Sequence, residues 1–328
     1  MVKLKSLQKI DCPPKHLDDY LPIVPGVVKK IRRRASLLEG LRVAHLNADS
    51  SGGGGVAEIL RSLVPLQRDV GLESTWYVLP PDETFFNVTK EIHNFMQGKP
   101  GNLTAKQKKT YLDYNRSLSS LLGELKADIL FIHDPQPAAA LTFLKGEGPK
   151  VSIWRSHIDT SHPNRAVWKF LRPYLKAYDH FVFTLPEFTN RDFPPRKLSF
   201  ITPGIDPLSP KNVLPGKEGA KRYLERFGID PKRPLLTQVS RLDPWKDPEG
   251  VVEAYRLAKR EFPALQLVLK AQTSADDPEG VRVYQRVRDH IGGEEGVFLL
   301  LDLPDNAAAV NALQTASDIV LQKSTREG

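Results

Sequence analysis

The sequence predicts an α/β fold with two Rossmann-like, doubly wound domains, of which the second is incomplete. Short apolar runs of strand length alternate with segments that are apolar at helical spacing, and this alternation starts again after a proline-rich segment near residue 205. Because parallel strands must be joined by crossover segments, the alternation predicts two parallel sheets with helices on their faces. The 328 residues also exceed what a single core usually holds.

The first domain is predicted over residues 41–205, after an N-terminal helical extension over residues 1–40. Its first strand runs into a glycine run and then an amphipathic helix, so that strand, loop, helix and next strand form a βαβ unit. The predicted strands are 41–46, 74–79, 128–132, 151–154, 180–184 and 198–201, and the predicted helices include 56–63 and 165–177.

Residues 206–229 are predicted to form a linker and a helix, and residues 230–328 a second domain. Its predicted strands are 235–239, 265–269, 297–300 and 318–321, and its predicted helices are 248–262, 278–291 and 307–316. The sequence stops just after the last strand, where an open α/β chain usually continues into a helix that covers the sheet. We therefore expect the second domain to be truncated.

The composition indicates a globular protein of the cytoplasm. A hydrophobic fraction of 40% and a charged fraction of 26% argue against a disordered chain. The single cysteine, Cys12, excludes a disulfide framework and a cysteine metal cluster, and it fits a reducing compartment. There is no apolar run long enough to span a membrane, and residues 1–40 are too charged for a signal peptide.

The net charge of +8 raises the question of an anionic partner. The densest basic run, residues 29–34, is interleaved with apolar residues near helical spacing and is typical of the solvated face of an amphipathic helix. Without interleaved aromatic residues or a recognisable motif, we do not expect a nucleic-acid partner. The positive charge would serve a small phosphorylated ligand equally well.

The glycine run at 52–55 lies between the first strand and its helix. Residues without side chains let backbone N–H groups approach a phosphate, and the N-terminus of the helix adds positive partial charge. The run matches neither the dinucleotide fingerprint nor the P-loop. A tight turn between strand and helix therefore remains an equal alternative.

Two cations follow the first strand of the second domain. Arg241 and Lys246 stand five residues apart across a Pro244 turn. Arginine offers a forked donor to phosphate oxygens and lysine a point charge, so the pair suits a diphosphate. An exposed loop with a local pair between Asp243 and Lys246 is the equal alternative.

Two polar clusters follow strands of the first domain, and they fall on the same sheet edge as the glycine run. The residues concerned are His133, Asp134, Arg155, His157 and Asp159. Such groups can bind sugar hydroxyls or exchange protons. A single histidine would more simply make a structural hydrogen bond, but two clusters on one edge favour a site. We expect no metal here, because no short ligand spacing on a helix occurs.

Together these motifs resemble the donor-site elements of family 4 retaining glycosyltransferases with the GT-B fold. The closer resemblance is to the trehalose-forming, glycosyl-transferring synthases of that family, and it spans almost the whole chain. The segments that carry it, besides Arg241–Lys246 and Arg326–Gly328, are Gly53–Leu60, Phe85–Lys90, His133–Pro137, Arg155–Asp159, Ile205–Ser209 and Asp276–Gly280.

The resemblance implies that Arg241 and Lys246 bind the donor diphosphate and stabilise the departing nucleoside diphosphate. It places Gly53, Gly54 and Gly55 against the phosphate or the bound sugars. It places His157 beside the transferred glucose.

The resemblance also puts His133 or Asp134 near the acceptor, with Arg155 and Asp159 in the same substrate-binding segment. Glu327 matches the first glutamate of the E-x7-E pair, which contacts the donor sugar, and the second would follow Gly328. In one departure from the family, Lys270-Ala271-Gln272 follows the predicted strand where relatives commonly carry a glycine.

The implied reaction joins glucose from a nucleotide diphosphate glucose to free D-glucose, with front-face attack and without a carboxylate nucleophile. No tightly bound cofactor is implied; Mg²⁺ is compatible but no motif indicates it, and a homodimer is compatible as well. Another glucosyl acceptor of the sucrose, glycogen or lipid type stays open, as does a non-catalytic fragment that binds sugar or nucleotide. The sequence does not select among UDP, ADP and GDP.

Overall fold

The computed structural model describes residues 4–50, 55–213, 216–272 and 279–326. The chain forms two compact units that divide between Gly204 and Ile205. The finer division of the second unit at residue 230 stays a prediction. Within the described segments there is no helix of the length and apolar character that crossing a membrane requires.

The first unit is a mixed sheet with helices. Its strands are β1 (Gln8–Ile10), β2 (Arg42–Asn47), β3 (Glu73–Val78), β4 (Ile129–His133), β5 (Val151–Arg155), β6 (His180–Phe183) and β7 (Leu198–Phe200). Its helices are α1 (Pro25–Ala35), α2 (Gly55–Asp69), α3 (Glu83–Met96), α4 (Ala105–Gly123) and α5 (Arg165–Leu175), with short 3₁₀ turns between them.

The seven strands of this sheet lie in the order β1-β3-β2-β4-β5-β6-β7. The six from β2 onward are parallel, and β1 adds antiparallel to β3. The chain goes from β2 outward to β3 and then crosses to β4 on the other side. The crevice between the carboxyl ends of β2 and β4 is therefore the switch point at which open α/β sheets bind ligands.

The N-terminal extension over residues 1–40 contains a strand in addition to the helical structure that the sequence predicted. The extension contains α1, but Gln8–Ile10 form β1, in which Gln8 pairs with Val78. Three residues are too few for a periodic pattern, and this strand exists because β3 offers a free edge.

Helices α3 and α4, which the pattern did not predict, complete the core of the first unit. Asp82 caps the N-terminus of α3, where its side chain accepts from the Phe85 N–H, and α4 is preceded by a capping box formed by Thr104 and Gln107. The rings of Phe85 and Tyr114 stack at 3.6 Å between the two helices. Both aromatic side chains are buried, so the helices form one packed layer over the sheet.

The second unit is a parallel sheet of four strands, ordered β10-β9-β8-β11. The strands are β8 (Leu235–Arg241), β9 (Gln266–Gln272), β10 (Val297–Leu301) and β11 (Ile319–Leu321). The helices are α6 (Lys217–Glu225), α7 (Pro248–Lys259), α8 (Gly280–Ile291) and α9 (Asn306–Ala316). Here the strand order reverses between β8 and β11, which makes their carboxyl ends the switch point of this sheet.

Candidate active site

Three histidines meet at the switch point of the first unit. His45 stands near the end of β2, His133 ends β4, and His157 follows β5. Nδ1 of His45 lies 3.2 Å from Nε2 of His133, and Nδ1 of His133 lies 2.9 Å from Nε2 of His157. The rings of His133 and His157 are stacked with their centroids 5.2 Å apart. The sequence analysis named His133 and His157, and the structure brings them into direct contact.

Asp134 fixes the backbone that carries His157. Its φ of +62° is left-handed, a conformation that aspartate tolerates better than most residues. In this conformation its carboxylate accepts from the His157 N–H at 2.7 Å, and its carbonyl accepts from Nε1 of Trp154 at 2.9 Å. Asp134 therefore orients His157, and the strain in its backbone is typical of functional sites.

All three histidines are neutral at physiological pH. Burial, with a contribution from the nearby Arg155, lowers the pKa of His45 to about 4 and that of His157 to about 3. Burial, followed by the neighbouring His157 and His45, lowers the pKa of His133 well below its ordinary value. Neutral rings with so low a basicity suit hydrogen bonding to hydroxyl groups rather than removal of protons at pH 7.

The polar side chains on either side of His157 in the sequence form hydrogen bonds with backbone groups of nearby loops. Arg155 donates through Nη2 to the carbonyl of Ile201 at 3.3 Å, and Asp159 accepts from the Ser161 N–H at 2.8 Å. Both therefore lie on the predicted edge of the sheet. Their described contacts hold the loops that follow β5 and β7.

The loop after β4 is held by three side chains that the sequence analysis did not single out. Tyr111 donates to the carbonyl of Pro135 at 2.8 Å, and Tyr178 donates to that of Ala138 at 2.9 Å. Asn115 donates to the carbonyl of Gln136 at 3.1 Å. Tyr111 and Asn115 stand one helical turn apart on α4. Their shared role could be predicted from the sequence only after α4 had been recognised as a helix.

The glycine run is described only at its last residue, and Gly53 and Gly54 lie outside the described residues. Gly55 begins α2, and a Cβ added to it would meet no atom of the described residues within 4 Å, its chain neighbours and its own helix backbone aside. The packing of the described residues therefore does not require a glycine at position 55. Open space at the N-terminus of a helix is compatible with an anionic ligand.

The cations of the second unit lie at the end of β8 and on the loop that follows it. Arg241 is the last residue of β8, and its Nη2 lies 3.9 Å from Oδ2 of the buried Asp243. Asp243 also accepts from the Trp245 N–H at 2.9 Å, which shapes a 3₁₀ turn over Pro244–Lys246. The carbonyl of Lys246 accepts from Nε2 of Gln238 at 2.8 Å. The loop is thus anchored at both ends, with Arg241 and Lys246 half-buried on it.

The segment after β11 lies against this loop. The Thr325 N–H donates to the carbonyl of Trp245 at 2.8 Å, and Lys323 forms an ion pair with Asp247. Asp247 has a left-handed φ of +47° and caps α7 by accepting from the Gly250 N–H. The residue expected to contact the donor sugar, Glu327, lies outside the described residues.

The chain is similar in sequence to known proteins over almost its whole length. Residues 45–190 match the family model described as "Trehalose synthase, N-terminal domain". The trehalose synthase of Rubrobacter xylanophilus is 45% identical over 327 residues, which cover 98% of this chain and 78% of that protein. The trehalose synthase of Pyrococcus horikoshii is 44% identical over 315 residues, which cover 95% and 75%.

The chain belongs to the trehalose synthase family. The segment matched by the family model contains all three histidines of the cluster. A solved trehalose-6-phosphate enzyme from E. coli, bound with UDP-2-fluoro glucose, superposes with a TM-score of 0.66 at 16% identity and covers 88% of this chain and 79% of that one. This likeness confirms the GT-B fold, and the family membership makes the chain a hexosyltransferase related to trehalose.

One local prediction for this trehalose synthase family member was wrong. Lys270 does not follow the strand but lies inside β9, where it pairs with Val239 of β8. The apolar pattern ended at Leu269, whereas backbone pairing with β8 continues to Gln272. Lys270 is 2% exposed, its ammonium donates to the carbonyl of Ala271 at 2.6 Å, and burial lowers its pKa to about 8.

Among the described residues, there is no cluster of three or more His, Cys, Asp or Glu side chains arranged to hold a metal ion. The prediction that no metal is bound therefore stays a prediction.

Proposed function

We propose that this chain transfers glucose from a nucleotide diphosphate glucose to D-glucose and forms α,α-trehalose with retention at the donor carbon. The bond from C1 to the diphosphate oxygen breaks, and a bond forms from C1 to the anomeric oxygen of the acceptor. The acceptor attacks C1 on the face from which the diphosphate leaves, and its hydroxyl proton passes to the departing nucleoside diphosphate. The names of the relatives at 44–45% identity support trehalose as the product.

The observation that carries the proposal is the position of Arg241 and Lys246 at the switch point of the second sheet. A leaving diphosphate gains negative charge in the transition state, and cations held on an anchored loop stabilise that charge without reorganisation. The loop is anchored by Asp243 and by Gln238, so the two cations are positioned before the donor binds.

The neutral histidines of the first unit support the sugar-binding part of the proposal. Neutral imidazoles offer both a donor and an acceptor, which matches sugar hydroxyls, and they avoid the cost of burying charge. His157 would border the transferred glucose, with His133 and Asp134 positioning it. In this proposal no tightly bound cofactor, metal ion, nucleic acid or membrane takes part, and the protein acts in the cytoplasm, with a homodimer compatible.

The test offers UDP-, ADP- and GDP-glucose in turn to the chain, and to a version extended past Gly328, with D-glucose as acceptor. We expect trehalose and one equivalent of nucleoside diphosphate with at least one donor. Sucrose-, glycogen- and lipid-type acceptors form the second arm, and maltose without nucleotide forms the third. Transfer only to another acceptor, or trehalose from maltose alone, would contradict the proposal.

Lys246→Ala is measured in the same transfer assay, to distinguish loss of catalysis from loss of nucleotide binding. Its matched control is Arg282→Ala, which removes an exposed cation of the same unit. Calorimetric titration with nucleoside diphosphate completes the design. Binding of nucleotide by both versions of the chain, with no transfer to any acceptor, would instead indicate a non-catalytic nucleotide-binding fragment.

A further inference from the structure

A continuous line of hydrogen-bonding groups connects helix α2 to His157. Oε1 of Gln67 on α2 lies 2.7 Å from Oγ of Ser74 and 3.0 Å from Nε2 of His45. From His45 the line continues to His133 over 3.2 Å and to His157 over 2.9 Å. Neither Gln67 nor His45 was among the site residues expected from the sequence.

The direction of these hydrogen bonds follows from the chemistry of the amide oxygen. Oε1 of Gln67 can only accept, so Nε2 of His45 carries the proton and Nδ1 of this neutral ring is an acceptor. Nε2 of His133 must then donate to it, which leaves Nδ1 of His133 as an acceptor for Nε2 of His157. One glutamine thereby fixes the tautomer of three rings.

The surroundings of the three rings favour their neutral form. His45 and His133 are buried, and the ring of Phe131 stacks on His45 at 4.7 Å between centroids. Arg155 is the charged group that acts on all three histidines, and it disfavours their protonation. A protonated ring would have two donors and would disrupt the alternation of donors and acceptors. The line of hydrogen bonds therefore requires all three rings to be neutral.

The far end of the line is Nδ1 of His157. Under this assignment that atom carries a lone pair, and none of the protein groups in the described segments makes a hydrogen bond to it. His157 is partly exposed, so the lone pair is available to a ligand. A sugar hydroxyl that binds there would have to donate its proton to Nδ1, which restricts the orientation of that hydroxyl.

We propose that Gln67 is a positioning residue for sugar binding, because it holds His157 through His45 and His133 as the Nε2–H tautomer with Nδ1 as an acceptor. The inference rests on the proposed function for the identity of the ligand, a hydroxyl of the transferred sugar. The tautomer itself does not depend on that function.

The test is ¹⁵N NMR of the full chain labelled in its histidine side chains, which distinguishes protonated from bare ring nitrogens. We expect Nε2–H on His45, His133 and His157 in the unaltered protein without ligand. Nδ1–H on His157 in that spectrum would overturn the proposal, whatever the enzymatic activity. The histidines outside the line serve as internal references.

Gln67→Met replaces the acceptor with a side chain of similar length, and Ser74→Ala is the matched control. The control removes the outer contact of Gln67 but leaves its bond to His45. We expect a mixture of tautomers on His157 in Gln67→Met and a single tautomer in Ser74→Ala. A single Nε2–H tautomer in Gln67→Met would show that another group fixes the ring, and it would overturn the role of Gln67.

Kinetics then test the link to the sugar. Loss of one correctly oriented hydrogen bond predicts a KM for the nucleotide sugar about two- to tenfold higher in Gln67→Met than in Ser74→Ala, with kcat changed less. An unchanged KM together with mixed tautomers would overturn the role in sugar binding. If the unaltered protein transfers no glucose, the proposed function fails, while the spectrum still decides whether Gln67 orders the histidines.

Discussion

The carboxyl edges of the two sheets occupy equivalent positions in their units but carry opposite chemistry. In the first unit the switch point holds three histidines whose pKa values are lowered by burial of their rings, so they are neutral. In the second unit it holds the half-buried cations Arg241 and Lys246 on an anchored loop. The fold supplies the location, and the side chains decide whether that location suits hydroxyl groups or phosphates.

Aspartates shape both edges through the same unusual backbone conformation. Asp134 and Asp247 both have left-handed φ values, of +62° and +47°. Asp134 uses its carboxylate to hold the His157 N–H, whereas Asp247 uses its carboxylate to cap α7. The same strained residue type therefore orients a site histidine in one unit and a helix in the other.

At the amino ends of their strands the two sheets are alike. The difference in side-chain chemistry is therefore specific to the carboxyl ends. An aspartate just before one strand accepts the backbone N–H of the neighbouring strand. Asp128 accepts from Arg42, Asp179 from Ser152, and Asp318 from Leu235, at 2.8–3.0 Å. Hydrogen bonding to Arg42 also holds the pKa of Asp128 well below its ordinary value.

The largest expected effect concerns the cations of the second unit. Lys246→Ala should lower kcat roughly 100- to 1,000-fold, because it removes a fixed charge from the developing diphosphate. The measurement is steady-state transfer from the preferred nucleotide sugar, with Arg282→Ala as the control at the unaltered rate. A loss of less than about tenfold would mean that Lys246 lies away from the leaving group.

The next largest effect concerns the acid sensitivity of the first unit. In the folded state the pKa of His45 is lowered to about 4 and that of His157 to about 3, from the ordinary histidine value of 6.5. Below pH 6.5 these two histidines therefore bind more protons in the unfolded chain than in the folded protein. Stability is thus full above about pH 6.5 and falls as the pH drops toward these values, by about 1.4 kcal/mol per pH unit for each histidine.

Denaturant unfolding at a series of pH values checks this, with His45→Asn predicted to flatten the dependence between pH 6 and 5. His162→Asn is the control, because His162 is exposed. An equal slope in the His45 variant and the unaltered protein would contradict the assignment of a neutral buried ring.

The two left-handed aspartates allow a direct comparison of the edges. Asp134→Ala should destabilise the protein by about 2–3 kcal/mol, because it keeps the strained φ and leaves the His157 N–H without its carboxylate. Asp247→Ala also places alanine at a left-handed φ, and it should cost about 1–2 kcal/mol because the cap of α7 that it removes lies at a half-exposed position. Asp134→Asn, which tolerates the same φ, is the control for Asp134. Unfolding free energies that rank Asp247→Ala above Asp134→Ala would be inconsistent with this account.

The smallest effect distinguishes two glycines of the second unit. A Cβ at Gly250 would lie 2.3 Å from Oδ2 of Asp247, so Gly250→Ala should displace the cap of α7 and cost about 1 kcal/mol. A Cβ at Gly219 in α6 would meet no described residue within 4 Å outside its own helix, so Gly219→Ala should stabilise by about 0.5–1 kcal/mol. Thermal unfolding of both variants measures the difference, and shifts of the same sign would refute it.

Periodicity located most strands, because a buried parallel strand is a short apolar run with clear ends. It missed α4, whose sequence contains a lysine-rich start and tyrosines in place of a regular aliphatic stripe. It also ended β9 at Leu269, since a lysine inside a buried strand contradicts the apolar pattern. Tertiary pairing, which no local window contains, decides such positions.

The site was predictable in part for a similar reason. His133 and His157 were found because each follows a strand, and strand ends converge at one edge. His45 lies within β2, where a polar residue in an apolar run gives no indication that its ring faces a ligand edge. Gln67 could not be predicted from the sequence, because its role depends on hydrogen bonds between residues that are distant along the chain.

The central claim is transfer of glucose with retention to a second glucose. Nucleotide glucose labelled with ¹³C at C1, supplied with unlabelled D-glucose, tests it most directly. The account predicts α,α-trehalose with the label at the anomeric carbon of one ring and an α linkage at that carbon. A β linkage at the labelled carbon, or release of labelled free glucose without disaccharide, would contradict it.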